Sequence, residues 1–305
     1  MQISGLHLLL TYQCTLECDH CFVFGSPGRR ASMTLTRVRD VLSQAKELGT
    51  VRWIYFEGGE PFLFYATLVT AVEEAADLGF RIGLVSNAYW ATSREDALAF
   101  LGPLRGRVES LEISGDLYHG SEVLGVHVRN AVSAASEIGI PASVITIAPP
   151  EVTAAPSASG QLSSGESAVM FRGRAATTLV DQVRRRPWQE FTECPHEDLA
   201  DPGRLHVDPP GYVQVCQGIA IGNLFQEPLR AILARYEAKS HPIAGPLLAG
   251  GPAELVRRHA VATSDGYADA CHLCYEARLA LRERFPDELA PAHAYGAEAV
   301  DPRLS

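Results

Sequence analysis

The first half of the chain alternates short apolar runs with longer segments in which apolar residues recur every three or four positions. LHLLLT (residues 6–11) predicts a buried strand, and TLTRVRDVLSQAKELG (residues 34–49) predicts a helix capped by Thr34 and closed by Gly49. The same alternation predicts further strands at VRWIYF, FRIGLVS, RVESLEIS and IPASVITIA, with helices between them. Such repeats indicate a parallel sheet with helices outside it, as a barrel or as an open doubly wound sheet.

This pattern stops after Pro150. Residues 151–166 are rich in Ser, Ala, Gly and Pro and are expected to form a loop or linker, while SAVMFRGRA (residues 167–175) is expected to form a sixth strand. From Trp188 onward the chain has short strand signals, turns and four of its seven cysteines. We therefore expect two domains, residues 1–187 and residues 188–305.

The composition is that of a globular protein of 305 residues, with 47% hydrophobic and 20% charged residues. The sequence has neither an apolar run of about 18 residues nor a signal peptide, so we expect a cytoplasmic protein without a membrane partner. In that compartment clustered cysteines more often bind metal than form disulfides. The formal net charge of −10 argues against nucleic acid as a partner.

Three cysteines lie directly after the first predicted strand, in CTLECDHC (residues 14–21). Functional residues of a parallel strand–helix fold gather at the carboxyl ends of the strands. Three thiolates satisfy three irons of a 4Fe–4S cluster and leave the fourth iron open, whereas an electron-carrying cluster normally has four protein ligands. A zinc site that includes the nearby His20 is the alternative.

The spacing of Cys14, Cys18 and Cys21 resembles the cluster motif of the radical S-adenosylmethionine (SAM) superfamily. Further motifs that resemble this superfamily end the second, third and fourth strands, in order. They are Gly58, Gly59, Glu60 and Pro61 in YFEGGEPF, Ser86 and Asn87 in VSNAYW, and Ser114 and Asp116 in EISGDLYHG. The resemblance covers roughly residues 6–175 and implies an α/β fold, a partial (β/α)6 TIM-like barrel.

The resemblance also implies roles for these residues. The open iron would chelate SAM, and the GGEP loop would meet the ammonium group of SAM, with Glu60 matching its charge and Pro61 fixing the turn. Gly58 and Gly59 allow a close backbone approach that a side chain would block. Ser86 and Asn87 would contact SAM or, equally, cap a helix.

The fourth strand end and the cysteine loop supply the remaining candidates. Ser114 and Asp116 would reach the ribose or carboxylate of SAM, and His20 takes the position beside the adenine that is usually aromatic in the family. Tyr118 and His119 are candidate catalytic residues facing the substrate, although His119 is equally typical of a surface loop.

The other cysteines are Cys194, Cys216, Cys271 and Cys274. Four thiolates from separate loops suit a closed zinc site or a fully ligated iron–sulfur cluster. GYVQVCQGIAIGN resembles the cysteine hairpin of the SPASM and Twitch extensions, and the short Twitch form, with one auxiliary 4Fe–4S cluster, fits this cysteine count. FRGRA also recurs in such enzymes; for Arg172 and Arg174 a structural salt bridge is the default expectation.

The function implied is reductive cleavage of SAM to a 5′-deoxyadenosyl radical that abstracts hydrogen from a substrate carbon, with a flavodoxin- or ferredoxin-type protein as electron donor. A fully ligated auxiliary cluster favours net oxidation. Because the core begins near residue 1, without room for a leader-peptide domain, we expect a small-molecule or carbohydrate substrate. The alternatives are a radical SAM maturase of peptides or proteins and, in another class, a zinc-stabilised binding protein without enzymatic activity.

Overall fold

The computed structural model describes residues 1–119, 122–150 and 165–297, so most of the expected linker lies outside the described residues. Six strands of the first half pair in parallel, each with its neighbour along the chain. They are β1 (Gly5–Thr11), β2 (Trp53–Gly58), β3 (Arg81–Ser86), β4 (Val108–Ser114), β5 (Ala142–Ile147) and β6 (Gly165–Ser167). The helices between the first five are α1 (Leu35–Leu48), α2 (Tyr65–Asp77), α3 (Arg94–Leu101) and α4 (Glu122–Ile138).

These elements form where the hydrophobic pattern predicts them. Every residue of β1 is buried, as expected of a strand covered on both faces. Helix α1 begins after Thr34, whose side chain accepts a hydrogen bond from the Arg37 amide, and ends at Gly49, which adopts a left-handed conformation with φ of 77°. The predicted α/β fold with a parallel sheet is confirmed.

The prediction of a strand through SAVMFRGRA is wrong. Strand β6 ends at Ser167, and no strand covers residues 168–174. Strand β6 lies at the edge of the sheet, and its neighbour β5 ends at Ile147, the register partner of Ser167, so the pairing stops there. Farther along, Gly173 has φ of 61°, and a Cβ there would lie 2.5 Å from the Cα of Phe22. Backbone in the left-handed region cannot continue a strand.

The second part of the chain extends the same sheet. Strands β7 (Arg204–Val207), β8 (Tyr212–Cys216) and β9 (Ile219–Asn223) follow, and β7 pairs in parallel with β1. The described strands therefore form one nine-stranded sheet in the order β6-β5-β4-β3-β2-β1-β7-β8-β9. The remaining helices are α5 (Ala175–Thr178), α6 (Leu229–Arg235), α7 (Ala244–His259) and α8 (Ala270–Leu281). Within the described ranges, no helix is both long and apolar enough to cross a membrane.

A buried carboxyl joins the two parts of the sheet. Asp208, at the end of β7, is fully buried, and its Oδ2 accepts hydrogen bonds from the Tyr12 hydroxyl at 2.9 Å and from Gln214 Nε2 at 3.1 Å. The Tyr212 amide donates to its Oδ1 at 2.8 Å. Burial raises the pKa of Asp208 to about 7, although these donors act in the opposite direction.

We expect Asp208→Asn to change how stability depends on pH. Because its pKa is raised on folding, Asp208 contributes stability that is fully present below its unfolded-state pKa of about 3.8 and lost as the pH rises through about 7. Between these values, the free energy of unfolding of the parent should therefore fall relative to that of the variant, by up to about 1.4 kcal/mol per pH unit. Urea unfolding at a series of pH values measures this difference.

Asp77→Asn is the matched control, because Asp77 is exposed at the end of α2. The difference in the free energy of unfolding between Asp77→Asn and the parent should stay constant over the same pH range. A constant difference for Asp208→Asn as well would show that folding does not raise the pKa of this carboxyl.

Candidate functional site

A cavity of about 210 Å³ opens at the carboxyl ends of β1 to β4. Parallel pairing brings these strand ends together, so motifs far apart in the sequence meet around one space. The sequence-predicted residues that line it are Cys14, Cys18, His20, Cys21, Gly58, Gly59, Ser86, Asn87, Ser114, Asp116 and His119. Three other candidates, Glu60, Pro61 and Tyr118, are absent from the described lining.

The three thiols of the cysteine loop are free and half-buried. Cys14 Sγ accepts hydrogen bonds from the Leu16 amide at 3.4 Å and from Asn87 Nδ2 at 3.5 Å, and Cys21 Sγ accepts one from the Gly25 amide at 3.3 Å. Burial raises the pKa of Cys14 to about 11 and the pKa of Cys18 further. Donors aimed at sulfur favour the thiolate form, against the effect of burial, and thiolate is the form in which cysteine binds a metal.

Arg174 fastens this loop to the segment after β6. Its Nη1 donates to the Cys18 carbonyl at 2.5 Å, its Nη2 to the Gly25 carbonyl at 2.8 Å, and its amide to the Cys21 carbonyl at 2.9 Å. The default expectation was a salt bridge, and Arg174 does lie 3.6 Å from the exposed Glu17, but its main contacts are backbone carbonyls. No general sequence rule reveals such a clamp, because its partners lie about 150 positions away in the chain.

The two glycines of the GGEP motif pack against protein backbone. A Cβ at Gly58 would lie 2.4 Å from the Thr11 carbonyl oxygen, and one at Gly59 would lie 2.1 Å from the Gln13 carbonyl oxygen. The Gly59 and Glu60 amides donate to those same two carbonyls, at 2.7 and 2.8 Å. Both positions therefore require glycine for a close approach, as expected. The group that they approach is the protein backbone at the start of the cysteine loop.

Glu60 and Ser86 connect the loops that follow β2 and β3. The Glu60 carboxylate is fully buried and accepts hydrogen bonds from the Phe62 amide, the Asn87 amide and the Ser86 hydroxyl, at 2.8–3.1 Å. Burial raises the pKa of Glu60 to about 7, although these hydrogen-bond donors act to lower it. Ser86 and Asn87 do not cap a helix, since α3 begins at its own cap, Ser93. Asn87 instead reaches the cysteine loop.

His20, Asp116 and His119 form one wall of the cavity. His119 Nδ1 lies 2.7 Å from Asp116 Oδ1, and His20 Nε2 lies 4.0 Å from Asp116 Oδ2. Burial and the neighbouring His119 lower the pKa of His20 to about 4, so its ring is neutral near pH 7. The His20 ring lies 4.7 Å from the Tyr118 ring, centroid to centroid. The wall thus offers a flat, uncharged surface beside a carboxylate.

A second, smaller cavity of about 20 Å³ is lined by Cys194, Cys216, Cys271 and Cys274. All four thiols are free. Burial and, to a smaller extent, the neighbouring thiols of Cys216 and Cys274 raise the pKa of Cys194 to about 12. Cys271 and Cys274 lie in the first turns of α8, Cys216 ends β8, and Cys194 lies in the loop before β7, so these three segments bring the four sulfurs together.

Two buried arginines accompany these four cysteines. Arg172 Nη1 lies 3.5 Å from Cys216 Sγ, and Arg278 donates to the carbonyls of Gln217 and Cys274. Four thiolates around either zinc or an iron–sulfur cluster would carry a net negative charge, and two guanidinium groups at this distance would offset it. Arg172 also lines the first cavity, so it lies between the two cysteine clusters.

The floor of the first cavity contains four polar residues that sequence reasoning missed: His7, Glu57, Arg204 and His206. Three of these, His7, Glu57 and His206, lie inside strands and are buried. The available signal was a histidine and a glutamate within otherwise apolar strands, which is costly unless their polar atoms find partners.

Comparisons with known proteins agree with this arrangement. Residues 8–154 match the family model of the Radical SAM superfamily. The chain is 30% identical over 122 residues to the "Putative peptide biosynthesis protein YydG" of Bacillus subtilis, covering 40% of this chain and 38% of that protein. It is 31% identical over 153 residues to the "PqqA peptide cyclase" of Streptomyces rochei, covering 46% and 39%. The matches thus span less than half the length of either relative.

Among solved structures, anSMEcpe with bound AdoMet and the Cp18Cys peptide is similar, with a TM-score of 0.48 and 14% identity over 93% of this chain and 97% of that one. BtrN in complex with AdoMet and 2-DOIA gives a TM-score of 0.47 and 16% identity over 76% and 82%. The family match runs from β1 through the strand ends that carry all four motifs. Residues 8–154, just under half of this chain, therefore match the radical SAM superfamily.

Proposed function

We propose that this protein is a radical SAM enzyme in which Cys14, Cys18 and Cys21 hold a 4Fe–4S cluster with one open iron, and that SAM binds in the first cavity. The observation that supports this most directly is the three free thiols, with N–H donors aimed at two of them, on the wall of a cavity that the other motifs share. When bound, the cluster and SAM supply a carbon radical that abstracts hydrogen from the substrate.

In this proposal, side chains of the protein bind SAM and orient one another around it. The neutral His20 ring provides a stacking surface for the adenine. Asp116 Oδ1 already accepts a bond from the Tyr118 amide and contacts His119, and its Oδ2 accepts from the Ile147 amide, so Asp116 also fixes the position of His119. His119 is the catalytic candidate that reaches the cavity.

Glu60 takes a different part from the one that its motif suggested. Because its carboxylate is saturated by protein donors and is absent from the described cavity lining, Glu60 is proposed to position the loops rather than to meet the ammonium group of SAM. The residues of these two loops that line the cavity, and are proposed to approach SAM, are Gly58, Gly59, Ser86 and Asn87.

We propose that the four remaining cysteines hold an auxiliary 4Fe–4S cluster, which Arg172 and Arg278 neutralise. With four protein thiolates this centre has no open iron, so its proposed role is to accept an electron from the substrate, and the reaction would be a net oxidation. The reducing electron would come from a flavodoxin- or ferredoxin-type protein. In this proposal residues 188–305 form the auxiliary-cluster unit.

A peptide is as well supported as a small molecule as the substrate. Both curated relatives carry names that refer to peptides, and a peptide is bound in one of the similar structures. The expectation of a small molecule rested on where the chain begins, and nothing in the structure adds to it. The proposed activity is therefore oxidation at an unactivated carbon of a peptide or a small molecule.

The iron content tests both clusters. Anaerobically reconstituted protein should hold about eight irons per chain, and replacing Cys14, Cys18 and Cys21 together with Ala should leave about four. Cys271→Ala with Cys274→Ala should remove the other four. Iron and sulfide analysis measures this, and sulfur-bound zinc in place of iron would contradict the assignment.

Gly59→Val tests the packing of the GGEP loop on the cysteine loop. Because a side chain would meet the Gln13 carbonyl, we expect the loop to shift, with loss of SAM cleavage and of up to about four irons per chain. Gly102→Ala is the matched control, since a Cβ there meets nothing within 4 Å. If Gly59→Val cleaves SAM at the parental rate, this contact does not matter to the site.

The double variant of Cys271 and Cys274 separates the roles of the two clusters. If the first cavity alone binds and cleaves SAM, the variant should still form 5′-deoxyadenosine when reduced, while the oxidised product is suppressed. Chromatography of 5′-deoxyadenosine measures the first, and circular dichroism must show that the variant stays folded. Undiminished product from a folded variant would make the second cluster structural.

A further inference from the structure

A second group of potential ligands lies below the three cysteines, on the floor of the first cavity. His7 on β1, Glu57 on β2 and His206 on β7 come from three neighbouring parallel strands. His7 is the direct register partner of His206, and Glu57 is one layer nearer the strand ends, opposite Leu9. Alternation along a strand places all three side chains on the same face of the sheet, towards the cavity.

The distances within this group are long for hydrogen bonds of an ionised carboxylate. His7 Nδ1 lies 3.2 Å from Glu57 Oε2, and His206 Nε2 lies 3.4 Å from Glu57 Oε1. Charge-assisted hydrogen bonds are typically about 2.7–2.9 Å long. Two ligands of a tetrahedral ion with bonds of about 2.0–2.2 Å are instead about 3.3–3.6 Å apart. The observed spacing is closer to that of ligand atoms around one ion.

Buried polar atoms that lack hydrogen-bond partners also favour a bound ion. Within the described part of the chain, Glu57 Oε1 has no hydrogen-bond partner although it is buried, and neither has His206 Nδ1. Glu57 is 6% exposed and His206 9%, so water contributes little to either side chain. A buried carboxylate oxygen without a donor is costly, and a cation between the three groups would remove that cost.

We propose that His7, Glu57 and His206 form a binding site for a divalent transition metal ion of the zinc class. Two imidazoles and one carboxylate from the protein are the ligand set of catalytic zinc sites, which keep a further position open. Here that position faces the cavity, where water or an oxygen of the substrate is available to fill it. These ligands are distinct from those proposed for the clusters and SAM, and the proposal rests on the function proposed above only in that its test uses the cluster-loaded protein.

The surroundings fix the ligands in place. The His7 ring stacks on Tyr55 with centroids 4.6 Å apart, which restrains its rotation. Arg204 precedes His206 by two positions on the same face of β7, and its Nη2 lies 3.4 Å from Glu197, so a carboxylate offsets the nearby guanidinium charge. Such outer contacts orient metal ligands and hold the site together.

Zinc binding to the cluster-loaded protein tests the proposal, because loading the clusters first occupies the competing thiols. Anaerobic equilibrium dialysis against micromolar zinc chloride should leave about one zinc per chain in addition to the iron. X-ray absorption at the zinc edge should show nitrogen and oxygen neighbours at about 2.0–2.1 Å, without sulfur at about 2.3 Å.

Glu57→Gln and His206→Gln should each lose this zinc while keeping the parental iron content and circular dichroism. His259→Gln is the matched control, since His259 lies at the end of α7 and bonds to the Pro242 carbonyl; it should keep the zinc. Should His206→Gln not fold, the isosteric Glu57→Gln and the absorption spectrum of the parent still decide. Absence of the extra zinc from the parent, its retention by Glu57→Gln, or a sulfur shell would each overturn the proposal.

Discussion

The site depends on one close contact, the packing of the end of β2 on the end of β1. Gly58 and Gly59 allow the backbones to touch, and their loop places its amides on the carbonyls of Thr11 and Gln13. That contact sets where the cysteine loop leaves the sheet. From there the other restraints are added: Asn87 reaches the loop from β3, and Arg174 holds its far side from beyond β6.

Because the strand ends pack together in this way, the polar side chains of the motifs form hydrogen bonds with one another rather than only facing the cavity. Glu60 accepts hydrogen bonds from Ser86 and Asn87, and Asp116 binds His119 and the last amide of β5. Each is a buried carboxylate that needs donors, and the neighbouring strand ends supply them. A constellation of this kind is pre-organised, because its side chains are already fixed before a ligand arrives.

The sequence was sufficient for features that depend on local pattern. The strands and helices of the first half follow from hydrophobic periodicity, and the cap at Thr34 and stop at Gly49 follow from residue type. It was insufficient where distant segments meet. The clamp of Arg174 on Cys18, the sharing of Arg172 by two cavities and the group around Glu57 all depend on contacts between segments far apart in the chain. SAVMFRGRA was misread because a strand also needs a neighbour to pair with, and β5 ends at Ile147, opposite Ser167.

The pairing of β1 with β7 has a consequence for how the molecule is made. Leu8 is synthesised almost 200 positions before its register partner, Val207. Until then one edge of a fully buried, apolar strand has no neighbour, and such edges invite pairing with other chains. Contacts of this sequence separation also form slowly. During synthesis, therefore, the nascent chain must keep its first strand from aggregating until the second part of the sheet emerges from the ribosome.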